Sequence, residues 1–342
     1  MIFSDSNLGI PQLIRSLNES EPVVMPTETV YGLAAKIDDL KALEKIFLYK
    51  RRPFFDPLIV HIYDRKQISF LSPFKSPLLD QLIDTFWPGP LTLVLPKRSQ
   101  VNDLVTSGLD SVGIRLPLHP LAQELLKQID VPLAAPSANF FGQTSPTTAA
   151  HVERDFPQLK ILDGGPCDIG IESTVLKVQP TSDHIISLSI LRKGVITQSA
   201  IQSALSNYTG AFIWNTHLDK KHSPGHMKHH YMPNIPIVFF EQPAPIEKYI
   251  PTILADFKKI PDKVEDVTII KPIAPLERIE KLQFNSDPVI ACRELYGKLK
   301  QSATTSAQLL VFEKQNYMQG ELWEAFLERL TKASSLHYSA GL

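Results

Sequence analysis

Cysteine is scarce in this chain: its 342 residues include two, Cys167 and Cys292. They lie far apart, in no CxxC pair and beside no metal-spaced histidines, which excludes a structural zinc or a disulfide framework and suggests a reducing compartment. Charge of one sign is missing as well. Lysine plus arginine (35) balances aspartate plus glutamate (36) for a net charge of −1, so binding driven by gross positive charge is excluded and any nucleic-acid contact needs a local patch. No run approaches the ~20 apolar residues that cross a bilayer. The opening MIFSDSNLGIPQLIRSLNES lacks the basic and apolar regions of a leader, so a cytoplasmic protein without a membrane partner is expected. Chemical signatures are absent too: no GxxxxGK[ST], no GxGxxG after the first strand of the C-terminal segment, no Ser/His/Asp spacing, no paired carboxylates and no metal motif. A P-loop is excluded, and no residue is assigned to a metal. What remains favours an enzyme that positions its ligands over one with a covalent nucleophile.

The length suggests about two domains. From Ile10 to about Phe212 the strand candidates PVVMPT, PLIVHIY, LTLVLP, SVGIRLP, VPLAAP, STVLKV and SLSILRKG alternate with helical patterns. They predict an α/β domain with a mixed or partly antiparallel sheet, because some strands are separated by too little chain for a helical crossover. Residues 215–236, NTHLDKKHSPGHMKHHYMPNIP, carry five histidines, proline and glycine without apolar periodicity and read as a linker. Beyond it come IPIVFF, a helical stretch through Ala255, DVTIIKP, a helix near Ile290–Leu299, AQLLVFEK and a last helix GELWEAFLERLTKA. That alternation predicts a small doubly wound, Rossmann-like sheet. The expected division is 1–212 for the first domain, 213–235 for the linker and 236–342 for the second domain.

In SVGIRLP, alternation puts Ser111, Gly113 and Arg115 on one strand face and Val112, Ile114 and Leu116 on the other, the core face. The first face offers a hydroxyl, a gap and a guanidinium able to grip a carboxylate or phosphate through two bonds. In PLIVHIY, His61 shares its face with Ile59 and Tyr63 and is either a packed strand histidine or a ligand group. LKALEKIFLYKRRPFFDP has Leu40, Leu43, Ile46 and Phe47 at helical spacing and ends in Lys50, Arg51 and Arg52 before Pro53 stops the helix. Those cations either complement the helix dipole or are fixed there to neutralise a polyphosphate. MPTETVYGLAA sets Thr27, Glu28 and Thr29 after an apolar strand and reads as a strand end with a threonine helix cap. LAAPSANFFGQTSPTT, with Ser137, Asn139, Ser145, Thr147 and Thr148 and no charge, is either a turn-rich surface loop or a cradle of short donors for a polar ligand. GIESTVLKV brings Glu172, Ser173 and Thr174 to a strand entry, and LRKG supplies Arg192.

In this order and spacing, PTETVYGLAA, KRRPFFDPLIVH, WPGPLTLVLP, SVGIRLP, LAAPSANFFGQTSPT, GIESTVL and LRKG resemble the YrdC/Sua5 family of threonylcarbamoyl-AMP synthases. The long form, Sua5, adds a linker with a PG…HYAP pattern and a C-terminal domain; here the linker reads SPGHMKHHYMP. The resemblance implies a YrdC-like twisted mixed sheet with helices, plus a smaller C-terminal α/β domain. It implies a reaction in which L-threonine, bicarbonate and ATP, carried with Mg²⁺, give threonylcarbamoyl-adenylate and pyrophosphate. A separate transferase complex then moves the threonylcarbamoyl group to adenosine 37 of tRNA, the t6A modification; a direct tRNA contact is left open. By the same resemblance, Thr29, His61, Arg115, Ala135 and Ser173 surround threonine, with Arg115 on its carboxylate. Arg52, Asp56, Ser111, Ser137, Ser145, Arg192 and Tyr231 contact ATP, and Lys50 and Arg52 form the KxR motif that acts at the phosphates.

The chain departs from the family pattern at KRRP and Asp56-Pro57, where KGRP and Asn-Pro are common, and at His226 and Met227 in the linker. An aspartate at 56 prefers Mg²⁺ or a ribose hydroxyl to a bare phosphate. Two rival readings are carbamoyl transfer of the hydrogenase-maturation type, which needs cysteine-rich zinc fingers that two cysteines cannot build, and a tRNA or double-stranded RNA binding module without catalysis, which the neutral charge disfavours.

Overall fold

The computed structural model describes residues 1–181, 185–215, 227, 229–264 and 267–339. The linker residues Pro224, Gly225, His226 and Lys228 lie outside the described residues. The chain divides into two compact units: Met1–Phe140 with Pro146–His226, and Phe141–Ser145 with Met227–Leu342. Among the described residues no helix is long and apolar enough to cross a membrane.

The first unit is built on eleven strands: β1 (Ile2–Phe3), β2 (Val23–Met25), β3 (Gly32–Lys36), β4 (Ile59–His61), β5 (Leu91–Pro96), β6 (Ser111–Arg115), β7 (Leu133–Ala134), β8 (Ile161–Leu162), β9 (Thr174–Pro180), β10 (Ile186–Arg192) and β11 (Phe212–Trp214). They form one sheet in the order β1-β8-β2-β3-β7-β4-β6-β5-β9-β10-β11. The sheet is mixed: β4 runs parallel to β6, whereas β7 is antiparallel to both β3 and β4. Val112, Ile114 and Leu116 turn into the main core with Leu33, Val60 and Leu93, as alternation predicts. Register aligns the opposite face across strands, pairing Ile59 with Gly113, His61 with Arg115, and Gly113 with Val94.

Three local expectations are corrected. PTETVYGLAA caps no helix; it turns back into strand β3. The Thr27 hydroxyl accepts the N–H groups of Thr29 and Val30 at 3.2 Å and donates to the Val30 carbonyl at 2.6 Å, closing the turn that lets β3 pair antiparallel with β2. The helix Leu40–Lys50 buries Leu43, Ile46 and Phe47, but Leu40 is 47% exposed because it is the first helical residue, just past the Asp39 cap. Arg51, rather than Pro53, ends this helix: it takes the left-handed conformation (φ 52°) and swings the chain so that Lys50 and Arg52 are buried on either side of it.

The second unit carries β12 (Ile237–Phe240), β13 (Lys263–Val264), β14 (Val267–Thr268), β15 (Ile279–Lys281), β16 (Leu309–Glu313) and β17 (Leu336–Tyr338). Four of them form a parallel sheet in the order β15-β16-β12-β17. The helices Ile246–Lys259, Pro288–Ser302 and Glu321–Ala333 connect them. DVTIIKP is not the second strand of that sheet. Only β14 forms there, in an antiparallel pair with β13, because Val267 and Ile269 bury against Met227 and Met232 and prolines follow at 272 and 275. β15 takes the sheet position instead.

Candidate active site

His61 and Arg115 are the last residues of the parallel strands β4 and β6 and lie side by side in register. Three groups hold the Arg115 guanidinium, which is buried. Glu28 Oε1 lies 2.7 Å from Nη2, the Thr29 hydroxyl accepts from Nη1 at 2.9 Å, and the Gly89 carbonyl accepts from Nε at 3.2 Å. Thr27 and Thr29 share a hydroxyl hydrogen bond of 2.9 Å, so the turn that starts β3 also orients the Arg115 partner. Burial is the largest influence on the Glu28 carboxyl and raises its affinity for a proton, but the Arg115 charge and hydrogen bonds from Arg115 and the Glu28 and Leu118 backbone together hold the group below its ordinary value. Burial, and then the Arg115 cation, push His61 down to about 3, so the imidazole is neutral at physiological pH.

A second group of cations surrounds the end of helix Leu40–Lys50. Lys50 Nζ does not cap its own helix; it donates to the Ser137 carbonyl at 2.5 Å and the Asn139 carbonyl at 2.7 Å. Burial, and then the neighbouring Arg52 charge, drive its ammonium well below the usual lysine range, with Asp56 and Asp155 pulling the other way. Arg52 donates from Nε to the Asp56 carbonyl (3.1 Å) and from Nη2 to the Pro57 carbonyl (2.8 Å), and pairs with the fully buried Asp56 carboxylate at 3.0 Å. Burial lowers the Arg52 pKa, Asp56 opposes that shift and Arg192 adds to it. Arg192 in turn donates from Nε to the Ser173 carbonyl and from Nη2 to the Ser173 hydroxyl, both at 3.1 Å, and that hydroxyl also bonds Thr92 Oγ1 at 2.8 Å.

The remaining expected residues are placed by the strands. The Ala135 N–H donates to the Ile59 carbonyl at 2.9 Å, Ser137 bridges to Gly32, and Ser111 is buried at the start of β6. Small residues keep this face open: a Cβ on Gly113 would sit 3.4 Å from Thr92 and 3.7 Å from Ile59. A pocket opens there, lined by Ile59, Thr92, Val94, Ser111, Gly113 and Val175 among others. Thr29, His61 and Arg115 therefore meet as one group, and Lys50, Arg52 and Asp56 as a second. Ser173 is bound to Arg192.

Ser145 and Tyr231 belong to the second unit. Tyr231 is buried there with φ 63°, its ring centroid 5.4 Å from Tyr296, and its carbonyl accepts the Thr144 hydroxyl at 2.9 Å. Sequence reasoning assigned no role to Glu28 or Thr92. Thr92 carries a signal, a polar side chain between the buried apolar strand residues of LTLVLP, whereas Glu28, between Thr27 and Thr29 in a turn, carries none.

Comparison with known proteins places these motifs. Residues 15–194 match the Sua5/YciO/YrdC family, described as "Telomere recombination", and residues 196–335 match the "Threonylcarbamoyl-AMP synthase, C-terminal domain". The chain is similar to the threonylcarbamoyl-AMP synthase of Bacillus subtilis strain 168, with 42% identity over 241 residues, 70% of this chain and 68% of that protein. It is 37% identical over 252 residues to that of Pyrococcus abyssi, covering 72% of this chain and 73% of that one. The crystal structure of Pyrococcus abyssi Sua5 complexed with L-threonine superimposes over all of both chains, with TM-score 0.78 and 30% identity. On these matches, the chain belongs to the Sua5 family of threonylcarbamoyl-AMP synthases.

Proposed function

We propose that this enzyme joins L-threonine, bicarbonate and ATP into threonylcarbamoyl-adenylate and pyrophosphate, using one face of the first unit's sheet. The observation that carries the proposal is the pairing, in register, of neutral His61 with buried Arg115 at the ends of β4 and β6. Arg115 takes the threonine carboxylate through charge-assisted bonds, with Thr29 and Glu28 fixing its orientation. His61, uncharged, exchanges a neutral hydrogen bond with the threonine hydroxyl; Ala135 and Ser173 complete that pocket. Lys50, Arg52 and Arg192 neutralise the triphosphate, and Ser111, Ser137 and Asp56 are its further contacts.

In the first step the threonine ammonium gives one proton to solvent, its nitrogen bonds to the bicarbonate carbon, and a second nitrogen proton leaves with the bicarbonate hydroxyl as water, giving a carbamate. A carbamate oxygen then bonds to the α-phosphorus as the bond to the β,γ-diphosphate breaks and pyrophosphate departs. Such an in-line displacement needs alignment and charge neutralisation more than a protein nucleophile, and buried cations are preorganised for it. Among the described residues no three His, Cys, Asp or Glu side chains form a metal cage. Asp56 is the acid beside the phosphate cations, so Mg²⁺ fits as an ion carried in on the triphosphate, where it supplies charge neutralisation. The adenylate is the substrate of a downstream transferase complex acting on tRNA, a role that a cytoplasmic location fits.

The test is pyrophosphate release with ATP and Mg²⁺ while threonine and bicarbonate are each omitted in turn. Release is expected only with both present. Release indifferent to threonine would overturn the reading.

A further inference from the structure

Glu28 is a buried acid that the reaction as described uses only to hold Arg115. We infer that it also sets the charge selectivity of the Arg115 site, matching it to a net-neutral α-amino acid and against a carboxylate that lacks the amino group. This rests on the proposal that Arg115 receives the substrate carboxylate. The carboxylate of Glu28 lies 2.7 Å from Arg115 Nη2, and both side chains are sealed from solvent. Arg115 is the charge that acts on Glu28 most strongly, and His61 beside them is neutral. The cluster of Glu28, His61 and Arg115 therefore has no net charge before a ligand arrives.

A simple carboxylate anion entering such a site leaves one negative charge unbalanced where water cannot screen it. An amino acid brings its own ammonium within a few ångströms of its carboxylate, beside Glu28, and leaves the cluster neutral. Selectivity by a repulsive element, rather than by an added attraction, is a common device. Replacing Glu28 by glutamine removes the charge but leaves Arg115 its bonds to Thr29 and Gly89, and an amide oxygen of the same shape.

Titration calorimetry on the full chain, with L-threonine and with 3-hydroxybutanoate, the same skeleton without the amino group, tests this. The wild-type protein should prefer threonine by at least about tenfold, a difference of about 1.4 kcal/mol. E28Q should shrink that ratio by about tenfold, and E28D, which keeps the charge, should preserve it. Equal binding of the two ligands by the wild type overturns the inference, as does an unchanged ratio in E28Q. If E28Q does not fold, the wild type and E28D decide, and loss of selectivity in a folded E28D overturns it. R115A separates the two levels: if it leaves threonine affinity intact, the carboxylate assignment itself falls. If it weakens threonine while the E28Q ratio stays fixed, only the role of Glu28 falls.

Discussion

The cations of the site are divided by what they touch. Arg115 is fixed by the turn at Thr27–Thr29, whereas Lys50 and Arg52 are fixed by carbonyls at Ser137, Asn139, Asp56 and Pro57. Arg115→Ala should therefore raise the KM for threonine with little change in that for ATP, by an amount equivalent to about 2–5 kcal/mol, the usual loss when a desolvated guanidinium–carboxylate pair is truncated. Lys50→Ala or Arg52→Ala should instead act on ATP and on kcat. Steady-state kinetics with each substrate varied in turn checks this, and equal losses for both substrates in both classes would contradict the division. His61 gives a stability signature. Its folded pKa of about 3 lies below the unfolded value near 6.5, so the unfolded chain binds the proton first. Stability should fall as pH drops from about 6.5 toward 3. In His61→Gln that part of the acid limb should flatten, measured as urea midpoints against pH; the Glu28 carboxyl, also depressed, contributes in the same direction at lower pH. At this scale Arg115 and His61 were legible, because strand alternation alone puts them on known faces. Glu28 was not, since its role depends on a partner 87 positions away in sequence.

Among elements, a close fit forms in the second unit, where Gly142 meets β14. Gly142 has φ 77°, and a Cβ there would lie 2.8 and 2.9 Å from the two methyls of Val267. Gly142→Ala should destabilise the protein by about 1–3 kcal/mol, partly through backbone strain and partly through the clash. Adding Val267→Ala to it should restore only the clash share, so thermal midpoints of the four proteins in a double-mutant cycle should show coupling. An additive result would mean the methyl contact is not felt. This pairing also shows where sequence reading stopped. LTLVLP, SVGIRLP and AQLLVFEK were legible as strands because their own pattern suffices. DVTIIKP was misplaced because Val267 and Ile269 find a separate apolar partner in Met227 and Met232, and strand β3 was missed because a hydroxyl-closed turn mimics a helix cap.

At the scale of the whole molecule, one domain boundary is crossed twice. Phe141–Ser145 leaves the first unit's sequence to join the second, where Gln143 bridges to Met232, and Met232 N–H donates to the Gly142 carbonyl at 2.8 Å. A chain ended at Asn215 keeps the first unit's core but loses the Tyr231, Met232 and Val267 partners of that segment. It should fold, lose most of its activity, and be cut by chymotrypsin after Phe141, which Met227, Met232 and Val267 cover in the full chain. Cleavage at equal rates in both would show that the segment needs no partner. The linear division expected from sequence, at 212 and 235, could not reveal this excursion, because nothing in FFGQTS is unusual for a loop.

That excursion also constrains the order in which the protein can be completed during synthesis. Gly142 emerges from the ribosome about 125 residues before Val267, and at roughly 5–20 residues per second the gap lasts on the order of ten seconds. During that interval the nascent sheet can assemble and take up Phe140 against Phe156, yet Phe141 waits for Met227, Met232 and Val267. Phe141 thus needs shielding, as by a chaperone, until the C-terminal unit arrives.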